Sequence, residues 1–71
     1  MTNLELTLAT LATLARSGSR VIVGYTRSNG TAHKEQHPMS AEDAITYVTA
    51  TADVLSVFGM TARFSLTRWE G

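Results

Sequence analysis

Two histidines are the residues of this chain whose spacing first suggests chemistry. His33 and His37 lie four residues apart, which on a helix would place both imidazoles on one side, as in a metal-binding pair. The surrounding sequence favours a strand, where the two would lie about 13 Å apart at a rise of about 3.3 Å per residue. We therefore expect no bound metal, and we interpret both histidines as exposed polar residues at a sheet edge.

The other polar residues form no recognisable catalytic or nucleotide-binding motif. Gly18 and the segment from Gly24 to Gly30 lack both the Lys-Ser/Thr helix start of a phosphate loop and the G-x-G-x-x-G spacing. Glu42 and Asp43 are adjacent, but neighbours on a helix diverge by about 100°, and a position at a helix start accounts for both. We expect no catalytic residue and no cofactor, so the chain is predicted not to be an enzyme.

Length and composition indicate one small domain spanning residues 1–71. Six basic residues balance six acidic ones, so no overall field draws the molecule to nucleic acid or to an anionic membrane. Because the chain has no cysteine, a disulfide cannot supplement its thin core, and oligomerisation is the expected supplement. No charged-then-apolar leader and no apolar run near twenty residues occurs, which favours a soluble, cytoplasmic protein without a membrane contact.

The strongest structural signal is Asn29-Gly30 between two extended segments, because both residues tolerate the positive φ angles of a type I′ hairpin turn. The apolar segment Val21 to Tyr25 precedes it, and the polar segment Thr31 to His37 follows it. A two-residue turn fixes the pairing of these strands. In that register one face of the sheet carries Ile22, Gly24, Thr26, His33, Glu35 and His37.

A helix is predicted on each side of this hairpin. The first, from Met1 to Arg16, has capping-box spacing at Thr2 and Glu5 and a C-terminal stop at Gly18. Its apolar stripe consists of Leu4, Leu8, Leu11 and Ala15, although Leu4 to Leu8 also alternates like a strand.

The second helix, from Ala41 to Phe58, begins after the N-cap candidate Ser40 and stops at Gly59. Its main apolar stripe predicts packing on the sheet. A second stripe lies about 100° round the helix and needs another cover. The main stripe contains Ala41, Ala44, Ile45, Val48, Ala52 and Leu55, and the second contains Tyr47, Val54 and Phe58.

The last segment, Thr61 to Trp69, alternates as a strand with Ala62, Phe64 and Leu66 on one side. The order of elements is then α-β-β-α-β. We predict the α+β class, a two-layer α/β sandwich with a three-stranded antiparallel or mixed sheet in the order 2-1-3. Both helices cover one face, and the other face is open unless a partner covers it.

The open face carries the predicted partner site, formed by Trp69, Arg63, Ile22 and His33. We expect a small non-enzymatic module that binds or inhibits another protein, as an accessory or phage-type modulator does. The alternative partner is nucleic acid, with Trp69, Arg63, Arg20 and His33 as contacts. A simpler role for Trp69 is to fold over Ile22 and shield the sheet.

We also expect a homodimer. The free edge of the last strand contains no proline and could pair with its own copy around a two-fold axis, with Ser65 in the contact. The second stripe of the long helix could meet across the same axis. The predicted interface residues are therefore Tyr47, Val54, Phe58 and Ser65.

Overall fold

Two helices and four short or medium strands make up residues 1–70, the part of the chain that the computed structural model describes. The fold is of the α+β class, with all strand pairs antiparallel. The elements are α1 (Asn3–Arg16), β1 (Arg20–Arg27), β2 (Ala32–Lys34), β3 (Met39–Ser40), α2 (Ala41–Val57) and β4 (Ala62–Trp69).

The ends of both helices follow the predicted capping chemistry. The Thr2 hydroxyl accepts a hydrogen bond from the Glu5 N–H, and the Glu5 carboxylate accepts one from the Thr2 N–H, both at 3.1 Å. The bond from the Thr2 N–H to the charged carboxylate, with a smaller contribution from the Thr2 side chain, holds the pKa of Glu5 below its usual value. Gly18 and Gly59 follow the C-caps with φ of 69° and 71°, in the left-handed region that glycine adopts without steric cost.

β1 is the central strand, as predicted. β4 pairs with its whole length, from Arg20 opposite Trp69 to Arg27 opposite Ala62. β2 and β3 share the other edge of β1, at its end and its start respectively. The predicted single edge strand from Thr31 to His37 is thus interrupted before Pro38, which lacks an N–H for a ladder, and the chain pairs again at Met39.

The core lies between one face of the sheet and the two helices. β1 and β4 alternate as the sequence predicts, with Val21, Val23 and Phe64 buried beneath the helices. The main stripe of α2 is buried or partly buried along its length. No helix within residues 1–70 is long and apolar enough to cross a membrane.

The turn between β1 and β2 is different from the predicted one. Tyr25 lies opposite His33, and the Arg27 N–H donates to Thr31 O at 2.7 Å, so the loop has three residues, Ser28 to Gly30. Gly30 has a φ of 93°, and no residue other than glycine within 1–70 has a positive φ, so Asn29 does not adopt the conformation that a type I′ turn needs. The type I′ prediction is therefore wrong, and the strand pairing is shifted by one residue.

Candidate binding surface

The sheet face turned away from the helices is the candidate binding surface, and we call it the open face. In an antiparallel pair, residues directly opposite each other project to the same side. The observed register therefore assigns the following residues to the open face: Arg20, Ile22, Gly24, Thr26, Ala32, Lys34, Arg63, Ser65, Thr67 and Trp69.

Three of the four predicted partner-binding residues, Trp69, Arg63 and Ile22, lie on the open face. His33 does not, because it is paired with Tyr25, whose side chain faces the helices. The ring centroids of His33 and Tyr25 are 5.5 Å apart, and His33 Nε2 is hydrogen-bonded to Glu35 Oε2. The placement of His33 on the open face was thus wrong, and the one-residue shift in the hairpin is the reason.

The same shift places Lys34 on the open face, opposite Gly24, and Glu35 on the helix-facing side. Sequence reasoning placed Glu35 on the open face and omitted Lys34. A signal for the correct pairing was present, since Gly30 also suits the third position of a three-residue hairpin loop, where a left-handed residue follows a type I turn. The exchange replaces a carboxylate on this surface by an ammonium group.

The neutral net charge conceals a separation of charge between the two sides of the sheet. Arg20, Lys34 and Arg63 project from the open face. The ion pairs found in residues 1–70 are His33 with Glu35 and Arg68 with Glu70, so neither pair includes these three cations. None of the carboxylates lies on a strand position of the open face: they belong to Glu5, Glu35, Glu42, Asp43, Asp53 and Glu70.

Gly24 leaves the middle of the open face without a side chain. A Cβ there would lie 3.1 Å from Ser65 Oγ and 3.4 Å from the His33 carbonyl oxygen, so even alanine would crowd this position. The result is a shallow depression of about 310 Å³. Its rim includes Lys34, Ser65 and Thr26.

Trp69 and Arg20 form a directly opposed pair at one end of the open face. Trp69 remains 44% exposed, so part of its ring is available to a partner even if it shields the half-buried Ile22. The Arg20 guanidinium donates one hydrogen bond, to Pro38 O at 3.4 Å. Arg63 stands near the other end of β4, about 20 Å from Trp69 at about 3.3 Å per residue.

A cluster of aromatic and charged side chains lies on the helix-facing side of the hairpin. Tyr47 packs against the core there, with its ring centroid 6.4 Å from that of Tyr25. Burial and the neighbouring Glu35 and Tyr25 raise the pKa of Tyr47 to about 12. The Arg27 guanidinium lies 5.1 Å from the centroid of the Tyr25 ring. Tyr47, predicted for the dimer contact, is therefore partly buried by its own chain.

The outer edge of β4 is partly occupied. The Asn3 side chain accepts a hydrogen bond from the Phe64 N–H at 2.6 Å and donates one to Phe64 O at 3.1 Å, as a neighbouring strand would. Because backbone groups alternate in direction along a strand, those of Ser65 point inward to β1. The expectation of a free edge with Ser65 in the contact is therefore wrong at this point, because Asn3 occupies the edge at Phe64. Sequence reasoning missed this role of Asn3.

The chain matches no protein-family model, no curated protein and no solved structure. Within residues 1–70, no group of three or more His, Cys, Asp or Glu side chains is placed to hold a metal ion.

Proposed function

We propose that the protein is a non-enzymatic binding module that takes an anionic partner on its open face. The observation that carries this proposal is the separation of charge. Arg20, Lys34 and Arg63 project from one uncovered surface, whose strand positions within residues 1–70 include no carboxylate. Three cations on one surface create a positive potential there, which favours an anionic partner. The partly exposed Trp69 offers that partner an aromatic contact.

Stability does not account for this composition. Exposed side chains contribute little to folding, since substitutions of surface residues usually change stability by about 0.5 kcal/mol or less. Placing like charges on one surface costs a little folding free energy through repulsion. An arrangement that folding does not need is well explained by recognition of a ligand.

The experiment compares two exposed arginines of β4. Arg63 projects from the open face, whereas Arg68, opposite Val21, projects to the other side. Immobilised wild type, Arg63→Ser and Arg68→Ser are each exposed to an extract of the source cells and washed with increasing salt. The proposal predicts that the wild type retains material that salt releases. Arg68→Ser should retain the same material, whereas Arg63→Ser should not. Equal retention by all three proteins would contradict it.

We further propose a homodimer through the exposed end of α2. Val54 and Phe58, both predicted for this interface, are 56% and 71% exposed, and Val57 between them is 81% exposed. These three side chains form a contiguous apolar patch, which a second copy could cover. Sedimentation of the wild type and of Phe58→Asp at tens of micromolar tests this, with the dimer lost in the variant. A wild-type monomer would refute it.

A further inference from the structure

We propose that the partner of the open face is single-stranded nucleic acid, held by phosphate contacts to Arg20, Lys34 and Arg63 and by a base stacked on Trp69. This inference rests on the proposed function, because it names the chemical class of ligand for the same surface. It depends on the observed hairpin register, which brings Lys34 to the surface and removes Glu35 from it.

The three cations form a track rather than a pocket. Arg63 lies on β4 opposite Thr26, Lys34 lies on β2 beside Gly24, and Arg20 lies on β1 at the far end. The track therefore crosses all three strands as it runs along about 20 Å of sheet. Single-strand sites on OB folds contact about 4–16 nucleotides, and a track of this length suits the lower end of that range. A flexible phosphate backbone can follow such a line, which a small anion cannot.

Between the cations, the centre of the open face is shallow and mostly polar. Gly24 keeps the centre low, and the hydroxyls of Ser65 and Thr67 stand beside it on β4. Hydroxyl groups can donate to phosphate oxygens and to base edges. A strand can thus lie across the sheet without displacing a side chain.

Trp69 supplies the contact that needs an unpaired base. It is the only tryptophan of the chain, it stands at one end of the track, and it is 44% exposed. Stacking of a base on an aromatic ring contributes about 1–3 kcal/mol and tolerates any sequence. Inside a duplex the faces of the bases are already stacked on each other.

An acidic protein segment fits this surface less well. Protein interfaces depend on a central apolar patch around which polar contacts are arranged. On the open face the large apolar side chains are Ile22 and Trp69, both toward one end, and the centre is Gly24 with polar neighbours. The centre of the surface therefore lacks an anchor for a protein.

The direct test uses the fluorescence of Trp69 and an oligothymidylate of about twelve nucleotides, which is long enough for a single-strand site of this kind. Addition of the oligonucleotide is expected to quench the tryptophan emission. Three phosphate contacts to a single strand predict a slope of about −2 for log K against log salt concentration, so affinity falls about 20-fold between 50 and 200 mM salt. Quenching requires no substitution and thus no assumption about the folding of a variant.

Matched variants then assign the contacts. Arg63→Ala should lower the affinity and reduce the salt slope to about −1.4, because one of three phosphate contacts is removed. Arg68→Ala, on the same strand but on the other side of the sheet, should leave affinity and slope unchanged. Trp69→Phe, followed by fluorescence anisotropy of a labelled oligonucleotide, should retain most of the binding, whereas Trp69→Ala should lower the affinity at least about fivefold.

Three results would overturn the inference. One is the absence of quenching and of any anisotropy change at low salt. Another is a duplex of the same length binding as tightly as the single strand, since stacking on Trp69 would then not contribute. The third is binding of a polyglutamate peptide that depends on Arg63 when the oligonucleotide does not bind. This last result leaves the proposed binding function intact. If the extract yields no Arg63-dependent capture and the oligonucleotide does not bind either, both the proposed function and this inference fail.

Discussion

The two faces of the same sheet are built under different constraints. The covered face carries Val21, Val23 and Phe64, which are almost fully buried, and its composition is set by the requirement to exclude water. The open face carries cations, hydroxyls and a partly exposed Trp69, none of which the core requires. Because side chains alternate along β1 and β4, adjacent residues on one strand serve these two different ends.

This comparison separates information about folding from information about function. Apolar alternation identifies the covered face from sequence alone, since a wrong residue there would prevent folding. The open face is constrained by what it contacts, and its residues are identified only when the register is known. The comparison predicts large effects on stability from one face and small effects from the other.

The largest expected effect is that of Phe64→Ala on the covered face. Truncation of a buried phenylalanine usually costs about 3–5 kcal/mol, a large part of the stability of so small a domain. Thr67→Ala, three residues further along β4 and exposed on the open face, should change stability by about 0.5 kcal/mol or less. Urea unfolding measures both. Similar losses from the two substitutions would mean that the two faces are not distinct in this way.

The next effect concerns the turn that decides which residues belong to which face. Gly30→Val should destabilise the fold by about 2 kcal/mol, because a β-branched residue resists the φ of 93° found there. Gly30→Asn is the matched control, since asparagine tolerates the left-handed region better, and it should cost less. Thermal unfolding distinguishes the two. Equal stability of wild type and Gly30→Val would contradict the observed loop.

Much of the fold follows from sequence because its signals are local. The capping pair Thr2 and Glu5, the N-cap Ser40 and the stops at Gly18 and Gly59 act within one helical turn, and all are confirmed. The sheet order follows from the polar edge segment and from the handedness of the crossover. The interruption before Pro38 is not evident from the sequence, because a proline also suits the end of an uninterrupted edge strand.

The binding surface is harder to predict, because a shift of one residue in the strand pairing changes which residues lie on it. A two-residue and a three-residue loop both fit Asn29-Gly30, and they assign Lys34 and Glu35 to opposite faces. The contact of Asn3 with Phe64 joins residues 61 positions apart, and no local pattern announces it. Such long-range contacts are settled by the packing of the whole chain.

A smaller effect is expected where the two faces meet, at the outer edge of β4. Asn3→Ala removes both hydrogen bonds to Phe64, which should cost about 1–2 kcal/mol in urea unfolding. It also frees the backbone of Phe64 to pair with a second chain, so self-association should increase in sedimentation. Asn3→Asp keeps the acceptor for the Phe64 N–H, so its free energy of unfolding should lie between those of the wild type and Asn3→Ala. If Asn3→Ala equals the wild type in both measurements, the edge is not protected by Asn3.

The smallest effect at neutral pH is that of Tyr47→Phe on the helix-facing side, and it becomes visible only in alkali. The pKa of Tyr47 is about 12 in the folded protein, against about 10 for an ordinary tyrosine side chain, which represents the unfolded chain. Between these values the unfolded chain loses the proton while the folded protein keeps it, so the wild type loses stability as pH rises from about 10 to 12. The contribution is fully present below pH 10. Tyr47→Phe lacks this contribution, so the stability of the wild type relative to this variant should fall over that window.

Trp69→Phe on the open face is the control. Its stability difference from the wild type should show no such change with pH. A constant difference between wild type and Tyr47→Phe from pH 9 to 12 would show that Tyr47 ionises equally in both states.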